Sequence, residues 1–240
     1  MHAPIYCRRV QSSLRSWLSC GMSSQEWARV WAAVHEERRA LRSDLSHVPV
    51  HRWAEASLCP GWDVHDVVSH LIDSAKTTRL GFARRMLVAR FDFDRDNAVG
   101  VVRERRASPA ETLAEFGRIV TETKTPPAAP ATRLVEAIVH GEDVRRPLGV
   151  QREYPLHHVL PALRHQLKTS VSMGGGRERA AGFRLVAVDA DFFSGSGPDV
   201  HATALALLLA LSGRPVRPTE LAGSASLAFA KHLSAGPEGQ

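Results

Sequence analysis

Cysteine is scarce in this chain: Cys7, Cys20 and Cys59 are the only three, an odd number with no paired spacing. A disulfide framework is thereby excluded, and the usage suits a reducing compartment, so a cytoplasmic location is expected. Long apolar runs are missing as well. The longest, Ala204 to Leu211, falls far short of the roughly 20 residues that cross a bilayer, so no membrane partner is expected. Charge of one sign is weak outside the first residues. The net charge is +6, and residues 1–21 supply half of it through Arg8, Arg9 and Arg15, with no acid among them. Elsewhere arginine pairs such as Arg38-Arg39 and Arg105-Arg106 are interleaved with acids and read as solvated faces, so no nucleic-acid partner is expected. Residues 1–21 are basic and Ser-rich but lack the apolar core of a signal peptide. They read as a disordered extension or a mis-assigned start before Met22.

What is present is helical periodicity. Trp27, Val30, Trp31, Val34, Leu41 and Leu45 predict a helix over about 24–46. A Cys59-Pro60-Gly61 turn follows. Asp63 is then placed to cap a second helix, with Asp66 at its third position. The stripe Val64, Val67, Val68, Leu71, Ile72 and Ala75 extends this helix, which is expected to run to about Arg90, with His70 at the edge of the stripe. Residues 91–107 read as irregular. Ser108-Pro109-Ala110-Glu111 is a helix start signal for a third helix, and a fourth carries Glu136 and His140 and ends before Pro147. Four amphipathic helices of this kind predict a four-helix bundle over 22–150. Beyond it, Leu156 to Leu167 reads as a helix, Phe183 to Val188 as a strand, Asp191 to Phe193 as a second strand, and His201 to Leu211 as an apolar helix. The expected fold is mainly α, with a small α/β domain over 151–240.

Within the fourth helix, Leu134 to Gly141 is almost wholly apolar, yet it holds a carboxylate and an imidazole four residues apart. Positions i and i+4 share a helix face. A carboxylate in such a segment must be paired, protonated or bound to a metal, since a bare buried charge is costly. Two readings stay open on spacing alone. His140 can hydrogen-bond Glu136 within the core, or both can bind a divalent metal with His70 of the second helix as third ligand. Two His and one carboxylate leave one position of a tetrahedral ion open, as in catalytic rather than structural sites, and zinc suits that donor set best. Other candidates carry blander readings. His157, His158 and His165 read as a solvated helix face, Cys59 as a buried thiol without an evident cationic neighbour, and Trp53 and Trp62 as core.

Leu58-Cys59-Pro60-Gly61-Trp62-Asp63-Val64-His65-Asp66-Val67-Val68-Ser69-His70-Leu71 resembles the signature of the mycothiol-dependent maleylpyruvate isomerase family, within the DinB-like metal-binding superfamily. Glu136 to Gly149 is similar to its second signature, and Ala204 to Arg214 to its C-terminal domain. The resemblance covers about 24–215. It implies a DinB-like four-helix bundle followed by a small α/β domain. It also implies His70, Glu136 and His140 as ligands of a divalent metal, most simply Zn2+. An arginine of the C-terminal domain contributes to that family's active site, and Arg214 is its match; the other reading of Arg214 is a cation at a helix C-terminus. The function so implied is a metal-dependent isomerase or transferase that uses mycothiol or a similar thiol on a small electrophile. A non-catalytic metal-binding or regulatory protein of the same bundle, or a metal-dependent hydrolase, are the alternatives.

Overall fold

The computed structural model describes residues 24–90 and 92–235. The expectations for residues 1–21 lie outside the described residues. Helix α1 (Ser24–Leu45) spans the expected stretch and buries Val34, Leu41 and Leu45. Helix α2 (Val64–Lys76) begins as its capping residues dictate: the Asp63 side chain accepts from the Asp66 N–H, and the Asp66 side chain accepts from the Asp63 N–H. It does not run on to Arg90. The hydroxyl of Thr77 turns back to the Asp73 carbonyl, and that of Thr78 caps a new helix by accepting from the Gly81 N–H. Two adjacent Thr thus offer the backbone partners that compete with an unbroken helix. The new helix is α3 (Arg79–Val88).

The stretch read as irregular contains another helix, α4 (Phe93–Glu104), capped by Asp92. Its buried face is Asp96, Gly100, Val101 and Glu104, a face that hydropathy does not reveal. Gly100 lets α4 approach α2 closely, because a Cβ there would overlap the Asp73 carboxylate. The carboxylates of that interface are paired: Arg85 bonds both Asp73 and Asp96 at 2.8 Å, and Arg103 bonds Asp73 from the other side. Helix α5 (Pro109–Ile119) starts at the Ser108 cap as expected, and α6 (Ala131–Arg145) ends before Pro147. Helix α2 packs on α4, α5 and α6, while α1 packs on α5 and α6. The bundle is therefore α1, α2, α5 and α6, with α3 and α4 laid against it.

Helix α7 (Leu156–Lys168) lies on α6. After a one-turn helix α8 (Arg177–Ala180) come β1 (Arg184–Ala187), β2 (Phe192–Ser194) and β3 (Asp199–Ala202). The strand order is β2-β1-β3, with β1 and β2 antiparallel and β1 and β3 parallel, Leu185 opposite Val200. Strand β3 corrects the reading of a helix from His201. Val200 and Ala202 point inward, and the Thr203 hydroxyl caps α9 (Ala204–Leu211) one residue later. Helix α10 (Ser226–Ala235), which the sequence reading did not anticipate, buries Phe229.

The described residues form two apolar cores. One gathers Leu45, Trp53, Val67, Ile72 and Phe116 inside the bundle. The other joins Val34 and Ile138 of the bundle to Leu163, Leu185, Leu208 and Phe229, and so crosses residue 150 without interruption. Helix α9 is buried on nearly every side because it fills this second core. Among the described residues no helix is long and apolar enough to cross a membrane.

Candidate functional site

Helices α2 and α6 bring the expected residues together. The rings of His70 and His140 meet edge to face with centroids 4.9 Å apart, and Trp62 lies against His70 at 5.1 Å. Glu136, one turn before His140, has a side chain 12% exposed and takes the first of the three solutions open to a carboxylate in an apolar segment: it is paired. Its Oε2 accepts from Ser74 Oγ at 2.5 Å and from Arg133 Nη1 at 2.9 Å. Ser74 follows His70 by one turn on α2, and Arg133 precedes Glu136 by three residues on α6, so both partners come from the same two helices. Burial would raise the Glu136 carboxyl, but Arg133, His70, Ser74 and Arg38 outweigh it and hold it below its ordinary value.

His140 does not bond Glu136. Its Nδ1 lies 2.9 Å from Oδ2 of Asp143, the next residue along the same face and fully buried. Asp143 is in turn gripped by Arg214, whose Nε and Nη2 donate to its two oxygens at 2.8 and 2.7 Å. Burial would raise Asp143 too, yet the bonds from Arg214 and His140 leave it lowered. Arg214, which arrives just after α9, donates its Nη1 to the Ser212 carbonyl at 3.0 Å. The structure thus brings Arg214 to the site, with Asp143 as its immediate partner. Sequence reasoning missed Asp143, Ser74 and Arg133. Asp143 carried a signal, since Glu136, His140 and Asp143 fall on one helical face; Ser74 and Arg133 carried none beyond their position.

The donor set can be tested for a metal on these contacts. As the side chains stand, no three His, Cys, Asp or Glu among the described residues form a group that could hold an ion. The atoms left over nonetheless suit one. Asp143 occupies Nδ1 of His140 and leaves Nε2, the bonds from Ser74 and Arg133 to Glu136 fall on Oε2 and leave Oε1, and His70 Nδ1 is buried with no hydrogen-bond partner among the described residues. Burial, and then the neighbouring His140, push His70 down to about 4, so it is a neutral imidazole at ordinary pH, the form that binds metals. The His140–Asp143 bond is the outer contact that typically orients a ligating histidine. Against a cation stands Arg133, whose guanidinium already neutralises Glu136.

Two cavities meet here, of about 340 and 640 Å³, and His70, Glu136 and His140 line both. The smaller runs toward Phe82, Arg85, Phe93 and Arg133, the larger toward Cys59, Trp62, Ser212 and Arg214. Cys59 therefore does have a cationic neighbour, Arg214, although burial outweighs it and pushes the thiol up. The solvated-face reading of the α7 histidines also fails in part. His158 is buried against Glu37 at 3.2 Å, and His165 lines the smaller cavity.

Comparison with known proteins gives three findings. Residues 34–130 match the family model of the mycothiol maleylpyruvate isomerase N-terminal domain, a stretch that contains His70 and stops short of Glu136, His140 and Arg214. An uncharacterized protein of Mycobacterium tuberculosis, matched in two strains, is 30% identical over 149 residues, covering 50% of this chain and 57% of its own. The chain thus spans little more than half the length of those relatives. Crystal structures of the mycothiol-dependent maleylpyruvate isomerase, and of a histidine-to-alanine mutant of it, superpose with TM-scores of 0.56 and 0.59 at 13% identity, covering 83% of this chain and 93% of each. That likeness establishes the fold.

Proposed function

We propose, for a chain whose residues 34–130 match the family model of the mycothiol maleylpyruvate isomerase N-terminal domain, a thiol-dependent, isomerase-like enzyme with its reaction centre at His70, Glu136 and His140. The observation that carries this reading is the meeting of two cavities at those three residues. A two-partner reaction needs such a plan, with thiol and electrophile entering from different sides. The larger cavity suits the thiol, the smaller a compact unsaturated acid.

His70, Glu136 and His140 are the residues that would hold a divalent ion such as Zn2+. Bound there, the ion supplies a Lewis acid that lowers the pKa of a thiol at the centre. Asp143 takes Nδ1 of the His140 ring and so leaves Nε2 for the centre, and Arg214 holds Asp143 charged and in place. Arg214 is accordingly a positioning residue, and its remaining N–H groups can still reach an acid in the larger cavity. Trp62 walls the centre beside His70. In the reaction, thiolate sulfur adds to an activated carbon–carbon double bond. The pair released by the double bond is held as an enolate on the activating carbonyl; rotation follows about what is now a carbon–carbon single bond, and collapse of the enolate expels the same thiolate and restores the double bond in the other geometry. Return of the thiol proton to the enolate carbon, with sulfur retained, gives the thioether adduct instead.

The test is a panel of low-molecular-weight thiols, mycothiol included, with a cis-enedioate-type electrophile followed by its absorbance. Turnover saturable in thiol, with thiol recovered unchanged, is expected. Turnover that ignores thiol, or none across the panel, contradicts the reading.

A further inference from the structure

The outer faces of α3 and α4 carry a surface that the proposed centre does not use. Twelve large apolar side chains stand exposed among the described residues, and six of them lie on these two helices of 10 and 12 residues. The helices form one unit, joined by Phe82 against Phe93 at 6.2 Å and by Arg85 bonded to Asp96. Positions 80, 84, 87 and 88 share a face of α3, and Leu80, Leu87 and Val88 project from it. Positions 95, 99 and 102 share a face of α4, with Val99 and Val102 exposed. Exposure runs from 56% at Val99 to 82% at Leu80. Apolar side chains scattered singly over a surface need no explanation, but a concentration of them marks an interaction site.

The charge on this surface is of one sign. Arg79, Arg84, Arg90 and Arg95 are exposed and pair with no acid among the described residues. Helix α3 contains no acid. The acids around α4 are committed elsewhere: Asp92 caps the helix, Asp94 lines the larger cavity, and Asp96 and Glu104 are buried against Arg85 and Lys76. An arginine can lay its apolar stem along such a stripe and lift the guanidinium beyond it.

Three kinds of partner suit an apolar stripe, and two fit this one poorly. A peptide helix docks in a groove. None of Leu80, Leu87, Val88, Val99 and Val102 lines the two central cavities or the one beside Lys76 and Arg103, and α3 buries only Met86, so it stands out as a ridge. A second copy of the chain would set one basic face against another. An anionic bilayer takes a basic, apolar ridge directly. We propose that α3, with the outer face of α4, docks this protein on an anionic lipid surface. Leu80, Leu87 and Val88 enter the headgroup region, and Arg84 and Arg90 meet the lipid phosphates. No helix of the described residues is long and apolar enough to cross a bilayer, so α3 lies along it.

The full chain is sedimented with vesicles of phosphatidylcholine alone and of phosphatidylcholine mixed equally with phosphatidylglycerol, at low and at high salt. Binding to the mixed vesicles only, weakened by salt, is expected. Two double variants each remove half of the surface: Leu80→Gln with Leu87→Gln takes apolar side chains, and Arg84→Gln with Arg90→Gln takes charge. Each is expected to lower the partition coefficient about tenfold or more. Arg29→Gln with Arg39→Gln, at two exposed positions of α1, lowers the net charge equally and is expected to bind as the wild type does. All six positions are exposed, and circular dichroism checks that each variant is folded. No binding by the wild type, equal binding to both kinds of vesicle, binding unchanged in either α3 variant, or an equal fall in the α1 control overturns the proposal. So does a wild-type dimer, seen without vesicles, that Leu80→Gln with Leu87→Gln dissolves, since the face then belongs to a second copy.

Discussion

Two charged neighbours of the centre, Arg133 beside Glu136 and Asp143 behind His140, pull its function in opposite directions. Arg133 satisfies Glu136 as it stands, and a metal would have to share or displace that guanidinium. Asp143 acts the other way, since a carboxylate behind His140 makes the ring a better ligand. Two substitutions should therefore move zinc affinity in opposite senses in a chelator competition. Arg133→Gln should strengthen binding by about tenfold, corresponding to roughly 1.4 kcal/mol, and lower the thermal midpoint of the metal-free protein. Asp143→Asn should weaken binding by about 10- to 100-fold. Movement of both in the same direction would contradict the assignment of these contacts. At this scale the sequence was legible where spacing speaks. Glu136 and His140 one turn apart, and Asp63 before Asp66, each state their geometry. Ser74 does not, because its value comes from a contact between distant parts of the chain. Ser74 meets Glu136 across 62 residues, and that separation leaves no signal in the local sequence.

At the scale of the element, the bundle helices announced themselves through their caps and stripes, and the inserted helices did not. The start of α2 was legible because Asp63 and Asp66 form a capping box ahead of His70. Asp63 also pairs with Arg105 at 2.8 and 3.0 Å, and the two roles can be separated. Asp63→Ala removes both and should cost about 1 kcal/mol, lowering the thermal midpoint by about 2–4 °C. Asp63→Asn keeps the cap acceptor and should cost less, because an ion pair this exposed contributes little. Equal losses in calorimetry would place the stabilisation in the ion pair instead. Helix α4 was hidden for a physical reason: Val101 is the one apolar side chain on a buried face otherwise built from Asp96, Gly100 and Glu104, whose carboxylates are held by arginines and lysine. Strand β3 was hidden because it is short and runs directly into the apolar helix α9.

For the whole molecule, the second core matters most, since Val34 and Ile138 of the bundle share it with Leu208 and Phe229. The two parts should unfold together. Leu208→Ala, far along the chain from Trp27, Trp31, Trp53 and Trp62, should cost about 2–5 kcal/mol and lower the midpoint seen by tryptophan fluorescence by about 4 °C or more. A fluorescence midpoint that stays put while circular dichroism shifts would show two independent units. The same continuity lets Arg214 reach a centre made by α2 and α6. The most direct test of that centre is metal analysis of the purified protein after zinc loading, for the wild type, His70→Ala, Glu136→Ala and His140→Ala, each checked for folding by circular dichroism. One equivalent of zinc in the wild type, with near-complete loss in all three folded variants, is the predicted result. Near-stoichiometric zinc in the variants, or none in the wild type, would contradict it.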